Sequence, residues 1–317
     1  MSLDDLDART SHLQANAIER SSSLNYGTGA RDYIAFCLNH HLSIDPTPQT
    51  LSRYVAFTSQ FIASGPKYLT GARHFLQHIY PDFEKNRSHP LVQSTIRGAK
   101  KLRADPVRRK LPLRAQHLQF FYQRWLSSQK YDDLLFITIL SCCFYALHRS
   151  GELLVPNSQI LRDFRKLIKR DTLHFSAGRV GYRLPYHKGD PFFAGTDILH
   201  TTQDIANPVY LLHTYTILRD KTHGIKAPLF IRENGSLPTR GWFETKFRSI
   251  LGREYGLHSA RAGGTTFFAG LGVSESVLQA LGRWSSEAWR IYIRENPTVR
   301  VEQQLTAIRL HQTPHHT

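Results

Sequence analysis

The chain has 317 residues, 41% of them hydrophobic, with 41 Lys and Arg against 25 Asp and Glu, a formal net charge of +16. That length suits two globular domains, each able to bury a core, and the charge favours a polyanionic partner such as nucleic acid. No apolar run approaches the roughly 20 residues that span a bilayer. The acidic start Met1-Ser-Leu-Asp-Asp-Leu-Asp7 also lacks the apolar stretch of a secretory signal. The expectation is therefore no membrane partner and an intracellular location: the nucleus in a eukaryote, the nucleoid or cytoplasm otherwise.

Residues 1–20 are polar and expected to be a flexible N-terminus. Residues 21–103 read as a compact helical domain, with short helices at 26–41, 50–63, 66–79 and 90–101. The turns Asp45-Pro-Thr-Pro48 and Ser64-Gly-Pro66 separate them. Tyr33, Phe36 and Cys37 recur at helical spacing, as do Leu51, Tyr54, Val55 and Phe57, and are assigned to the core.

Positive charge then concentrates in Arg97, Lys100, Lys101, Arg103, Arg108, Arg109, Lys110 and Arg114, against Asp105 alone. Pro106 and Pro112 prevent one continuous helix, so residues 104–113 are placed as a basic linker. A charge run of this kind serves as a solvated surface, as a track for DNA phosphates or as a nuclear import signal; composition does not choose among these.

Residues 114–317 form the second expected domain. Apolar-periodic helices at 116–127 and 132–147 precede a β-rich patch at 172–175 and 180–186 around a Gly178 turn, with 197–201 as a third pairing segment. Helices resume from Asn207. The expected fold class is mainly α with a small antiparallel β-sheet. Cys142 and Cys143 are adjacent in an apolar run, which suits buried thiols in a reducing compartment rather than a disulfide or zinc site. The 17 histidines form no metal-ligand pattern, and no metal or other cofactor is expected.

Several residues have the chemistry to act on a phosphodiester. Without metal, that reaction needs a nucleophile, positive charge around the non-bridging oxygens, a proton donor for the leaving oxygen and rigid placement. His258-Ser-Ala-Arg261 opens a predicted helix that continues Ala262-Gly-Gly-Thr-Thr266, so His258 and Arg261 share one face beside small residues that admit a close neighbour. Arg149 closes an apolar run in His148-Arg-Ser-Gly-Glu-Leu-Leu154, where on local evidence it caps a helix or pairs with Glu152. Lys188 lies in the turn His187-Lys-Gly-Asp-Pro191, where lysines are ordinary surface residues. Tyr292, in Trp289-Arg-Ile-Tyr292-Ile-Arg294, reads alone as half-buried packing.

In that order, Arg149, Lys188, His258, Arg261 and Tyr292 resemble the tyrosine recombinase family, the phage-integrase and Cre-like enzymes whose catalytic core is shared with type IB topoisomerases. The most specific matches are Arg149-Ser-Gly-Glu-Leu-Leu154, His258-x-x-Arg261 and Leu281-Gly-Arg-Trp-Ser-Ser286. The lysine turn is similar to that of eukaryotic crypton-type mobile-element recombinases. The resemblance implies a helical core-binding domain followed by an integrase-like catalytic domain, acting on double-stranded DNA. It implies that Tyr292 attacks the scissile phosphate to leave a 3′-phosphotyrosine, that Arg149 and Arg261 hold the non-bridging oxygens with help from His258, and that Lys188 protonates the 5′ oxygen. The family's buttressing His or Trp falls in register on Arg283; Trp284, one residue later, is assigned that role, with Arg283 kept as a further DNA contact. DNA contacts are also expected from Arg97, Lys100, Lys101, Arg103, Arg108, Arg109 and Lys110. The resemblance further implies a tetramer that synapses two sites, with the amphipathic segment 297–312 passed to a neighbouring copy. A non-cleaving DNA-binding or architectural protein on the same fold, and a type IB topoisomerase-like relaxing enzyme, are the alternatives.

Overall fold

The computed structural model of the chain describes residues 1–104 and 110–291. Contacts divide the chain into two compact units, parted between residues 108 and 109.

The first unit is helical throughout. Residues expected to be frayed instead form α1 (Leu3–Ala15), which a Ser2–Asp5 capping box starts; every residue of α1 is nonetheless solvent-facing. Then follow α2 (Arg20–Asn39), α3 (Pro48–Ser59), α4 (Gly65–Leu76), α5 (Phe83–Arg87) and α6 (Pro90–Arg103). Proline in the first turn starts α3, α4 and α6, where its missing N–H costs nothing. Helices α2 and α4 pack together, as do α3 and α6. Between them Tyr33 meets Tyr54 edge-on at 5.3 Å, and the Tyr54 hydroxyl donates to Asp32 at 2.6 Å. The predicted core residues are buried except Phe57, which is partly exposed and meets Phe36 at a tilt and Phe61 edge-on.

The second unit is built around α8 (Tyr131–Tyr145). This helix is apolar on every side because α7 (Ala115–Ser128), α10 (Pro208–His223) and α12 (Ser259–Gly270) all pack on it. The buried, free Cys142 and Cys143 lie on α8. A single turn, α9 (Ser150–Leu153), leads to β1 (His174–Ser176), β2 (Arg179–Leu184) and β3 (Thr196–Thr201), an antiparallel sheet in chain order. Alternation along β2 and β3 turns Val180, Tyr182, Leu184, Ile198 and His200 inward. Helices α11 (Arg240–Leu251) and α13 (Glu275–Leu281) complete the unit.

The small residues after Arg261 set how closely α12 approaches its neighbours. A Cβ on Gly263 would lie 2.0 Å from the Leu113 carbonyl oxygen, and one on Gly264 1.9 Å from that of Phe144. Backbone meets backbone there, so nothing can move aside cheaply. Gly264→Ala is expected to destabilise the protein by about 1–3 kcal/mol or more in urea unfolding. Gly98→Ala, with open space around its Cβ on α6, is expected to raise stability by roughly 0.5–1 kcal/mol.

Candidate active site

Helix α8 ends with carbonyls that no intrahelical donor can reach. Two arginines distant in sequence supply the donors. Arg283 Nη1 donates to Ala146 O at 3.2 Å, and Arg261 donates through Nη1 to Leu147 O and through Nη2 to Gly282 O. Leu147 and Arg283 both take a left-handed backbone, φ +49° and +54°, where side chains other than glycine are uncommon. At Arg283 this turn, just past the end of α13, sends the guanidinium inward rather than toward solvent.

There it meets Glu152. One carboxylate oxygen, Oε2, accepts from Arg283 Nη2 at 3.0 Å, from the Arg149 backbone N–H at 3.2 Å and from His148 Nδ1 at 2.8 Å; Oε1 accepts from Arg149 Nη1 at 3.2 Å. Burial alone would raise the Glu152 pKa, but the interaction with His148 and the charges of Arg283 and Arg261 bring it down to about 2. Burial also pulls His148 down to about 4 and His200 to about 3. With both imidazoles neutral near pH 7, one proton assignment fits the distances. His148 donates from Nδ1 to Glu152 and accepts at Nε2 from the Tyr182 hydroxyl (2.7 Å), which accepts from His200 Nε2 (3.2 Å).

Above this buried layer lie the residues singled out from the sequence. Arg149 begins α9 with a quarter of its side chain exposed. His258 stands at the N-terminus of α12, and Arg261, one turn on, is buried. Loss of hydration lowers the His258 pKa, and the charges of Arg261, Arg149 and Arg240 lower it further, which places all four side chains in one neighbourhood. Trp284 packs its ring against the Arg261 guanidinium, 4.1 Å from Cζ to the ring centre. The left-handed turn at Arg283 is what brings the indole there.

Lys188 is exposed on the turn between β2 and β3. Its neighbour His187 is buried, donates to or accepts from Thr196 Oγ1 at 3.2 Å, and accepts from Gly189 N–H at 3.1 Å. Burial, and then the Arg283 charge, lower the His187 pKa, so the turn sits beside Arg283. Among the described residues no group of three or more His, Cys, Asp and Glu has the arrangement to hold a metal ion, and no helix is long and apolar enough to cross a membrane.

The basic residues fall into three sets. Arg97, Lys100 and Lys101 are exposed on the last turns of α6. Arg103 also belongs to α6 and donates to Ser59 O at 2.9 Å, and Lys110 reaches the Arg253 carbonyl. Arg283, held as a DNA contact in the sequence reading, is instead spent inside: its side chain is 8% exposed and its charge is matched by Glu152. Tyr292, Arg108, Arg109 and the segment 297–312 lie outside the described residues. The sequence reading missed Tyr182, His200 and Arg240. The inward alternation of β2 and β3 marks the first two as interior residues, but only the folded backbone brings them to His148.

No protein-family model and no characterised protein matches the chain by sequence. Solved structures do match its fold. The post-cleavage complex of the XerH site-specific recombinase with palindromic difH substrate has a TM-score of 0.57 at 14% identity, over 83% of this chain and 72% of that one. The Tn1549 transposon integrase in complex with circular intermediate DNA gives 0.56 at 13%, over 97% and 100%. A lambda integrase dimer bound to a COC′ core site gives 0.52 at 12%, over 96% and 95%. The chain has the tyrosine recombinase fold, mostly helical with one small antiparallel sheet.

Glu152→Gln leaves the buried Arg283 charge unmatched, and a loss of about 3–5 kcal/mol is expected in urea unfolding at neutral pH. In the parent protein the Glu152 contribution is complete above its ordinary pKa of 4.5 and disappears as pH falls toward 2, roughly 3 kcal/mol in all. His148 and His200, neutral in the fold but protonated once unfolded, begin the acid loss earlier, below their ordinary 6.5. Unfolding measured across pH should show both windows in the parent and only the histidine window in Glu152→Gln.

Proposed function

We propose that this protein is a site-specific DNA recombinase that cuts and rejoins DNA through a covalent bond to Tyr292, using neither a metal ion nor ATP. The observation that carries the reading is the gathering of Arg149, His258 and Arg261 into one neighbourhood, with Trp284 against Arg261, on a fold shared with recombinases solved on their DNA. In this reading the second unit is the catalytic domain and the first the core-binding domain, with the exposed Arg97, Lys100 and Lys101 on its α6 following the DNA backbone.

The chemistry follows from the groups present. Tyr292 gives its phenolic proton to water and attacks phosphorus while the bond to the 5′ oxygen breaks; Lys188 supplies the proton that makes that oxygen a hydroxyl. Arg149 and Arg261 balance the charge that builds on the non-bridging oxygens, and His258, mostly neutral at physiological pH, donates one N–H to them. The bond energy stays in the phosphotyrosine, and attack by a 5′ hydroxyl reverses the step on the same or a different strand. Exchange between two sites requires four such centres, so a tetramer on synapsed DNA is part of the reading, with the segment 297–312 reaching a neighbouring copy. Truncation before residue 300 is expected to abolish DNA-bound oligomers in analytical ultracentrifugation.

The direct test is incubation of the protein and its Tyr292→Phe variant with supercoiled plasmid in EDTA, followed by an SDS quench. Covalent protein–DNA adduct and relaxed plasmid are expected with the parent and neither with the variant. Arg261→Lys is expected to lower adduct formation by about a hundredfold or more. Relaxation that persists in Tyr292→Phe, or that needs a divalent cation, would end this reading.

A further inference from the structure

Arg240 opens α11, and its position relative to α9 is fixed by the backbone. Val155 N–H donates to Pro238 O and Arg240 N–H to Val155 O, both at 3.0 Å, while Gly241 N–H donates to Asn157 Oδ1 at 2.8 Å. The start of α11 is thus tied to the chain that leaves Arg149 and α9. The side chain of Arg240 crosses Gly151: a Cβ at that position would lie 2.5 Å from Nη2, 3.1 Å from Cζ and 3.3 Å from Nε. The guanidinium rests in the space that glycine leaves, two residues after Arg149.

Arg240 is exposed, and among the described residues it has no hydrogen-bonded or ion-paired side-chain partner. The carboxylate of this region, Glu152, is already occupied by Arg149, Arg283 and His148. Arg240 is therefore held near other positive groups, its field felt at His258 together with those of Arg149 and Arg261. Like charges placed together without an acid raise the local potential and favour a bound anion. An exposed arginine is the side chain best suited to phosphate oxygens.

We propose that Arg240 binds a DNA backbone phosphate at the surface beside Arg149 and His258, over the buried Arg261, with Gly151 providing the space that holds its guanidinium in place. This rests on the reading above that DNA occupies that surface. As a phosphate contact it adds affinity and register but no base preference.

The test is fluorescence anisotropy of a labelled DNA duplex titrated at several salt concentrations. Arg240→Ala is expected to bind several-fold more weakly and to reduce the slope of log K against log salt by about 1, while Arg240→Lys keeps the slope. Gly151→Ala pushes the guanidinium aside without removing its charge and is expected to weaken binding with an unchanged melting temperature. Lys221→Ala, an exposed charge lost from α10, controls for net charge. Equal slopes for Arg240→Ala and the parent, or an equal fall in Lys221→Ala, would overturn the proposal and leave the functional reading standing. A parent protein with no salt-dependent DNA binding would overturn both.

Discussion

A single buried carboxylate organises the second unit. Glu152 accepts from Arg149, Arg283 and His148 at once, and those donors come from two distant stretches of the chain: the link between α8 and α9, and the turn after α13. Removing a carboxylate from water is unfavourable by several kcal/mol, and is sustained only where its lone pairs are filled by good donors. Two of these donors have a second attachment. Arg283 also satisfies carbonyls at the end of α8, and His148 also joins Tyr182. Loss of the carboxylate would release all of them together.

The same arrangement explains how positive charge can be concentrated without the unit coming apart. Arg283 and the inner side of Arg149 are balanced by Glu152, and Arg261 is held by carbonyl oxygens and the face of Trp284. The α8 carbonyls carry the negative end of a helix dipole, so they favour these guanidiniums beyond the hydrogen bonds alone. Side chains restrained in this way need little reordering to meet an anion, and preorganised donors stabilise developing charge more than mobile ones do. The close backbone contacts of Gly263 and Gly264 add the mechanical part, holding the first turns of α12 against α8 and the chain at Leu113.

Much of this was legible in the sequence, and the limits have physical causes. Four helices of the first unit were readable because proline, glycine and apolar spacing act locally; the five-residue α5 was too short to show a period, and α1 was not read, although its Ser2–Asp5 box was visible, because it buries no residue and so has no apolar stripe. The order of Arg149, Lys188, His258 and Arg261 was readable because each has a local motif. The inward placement of Arg283 was not readable because its direction is set by the sign of one backbone angle, which no spacing rule reports. Its inward turn also settles where the neighbouring indole goes, so Trp284, rather than the residue in strict register, lies on Arg261. Arg240 carried no signal at all: its relevance comes from a parallel bridge between Val155 and Thr239, two segments more than 80 residues apart.

The line from His200 through Tyr182 and His148 to Glu152 has one further property. His200 only donates, Tyr182 and His148 each accept one hydrogen bond and donate one, and Glu152 only accepts, so the line has a direction, and the fixed negative charge at its end selects which. All its O–H and N–H bonds then point the same way, from β3 toward α9, and their moments add into a standing dipole through the interior. A change at His200, far from solvent, would therefore reach Arg149 as an altered electric field carried along this line.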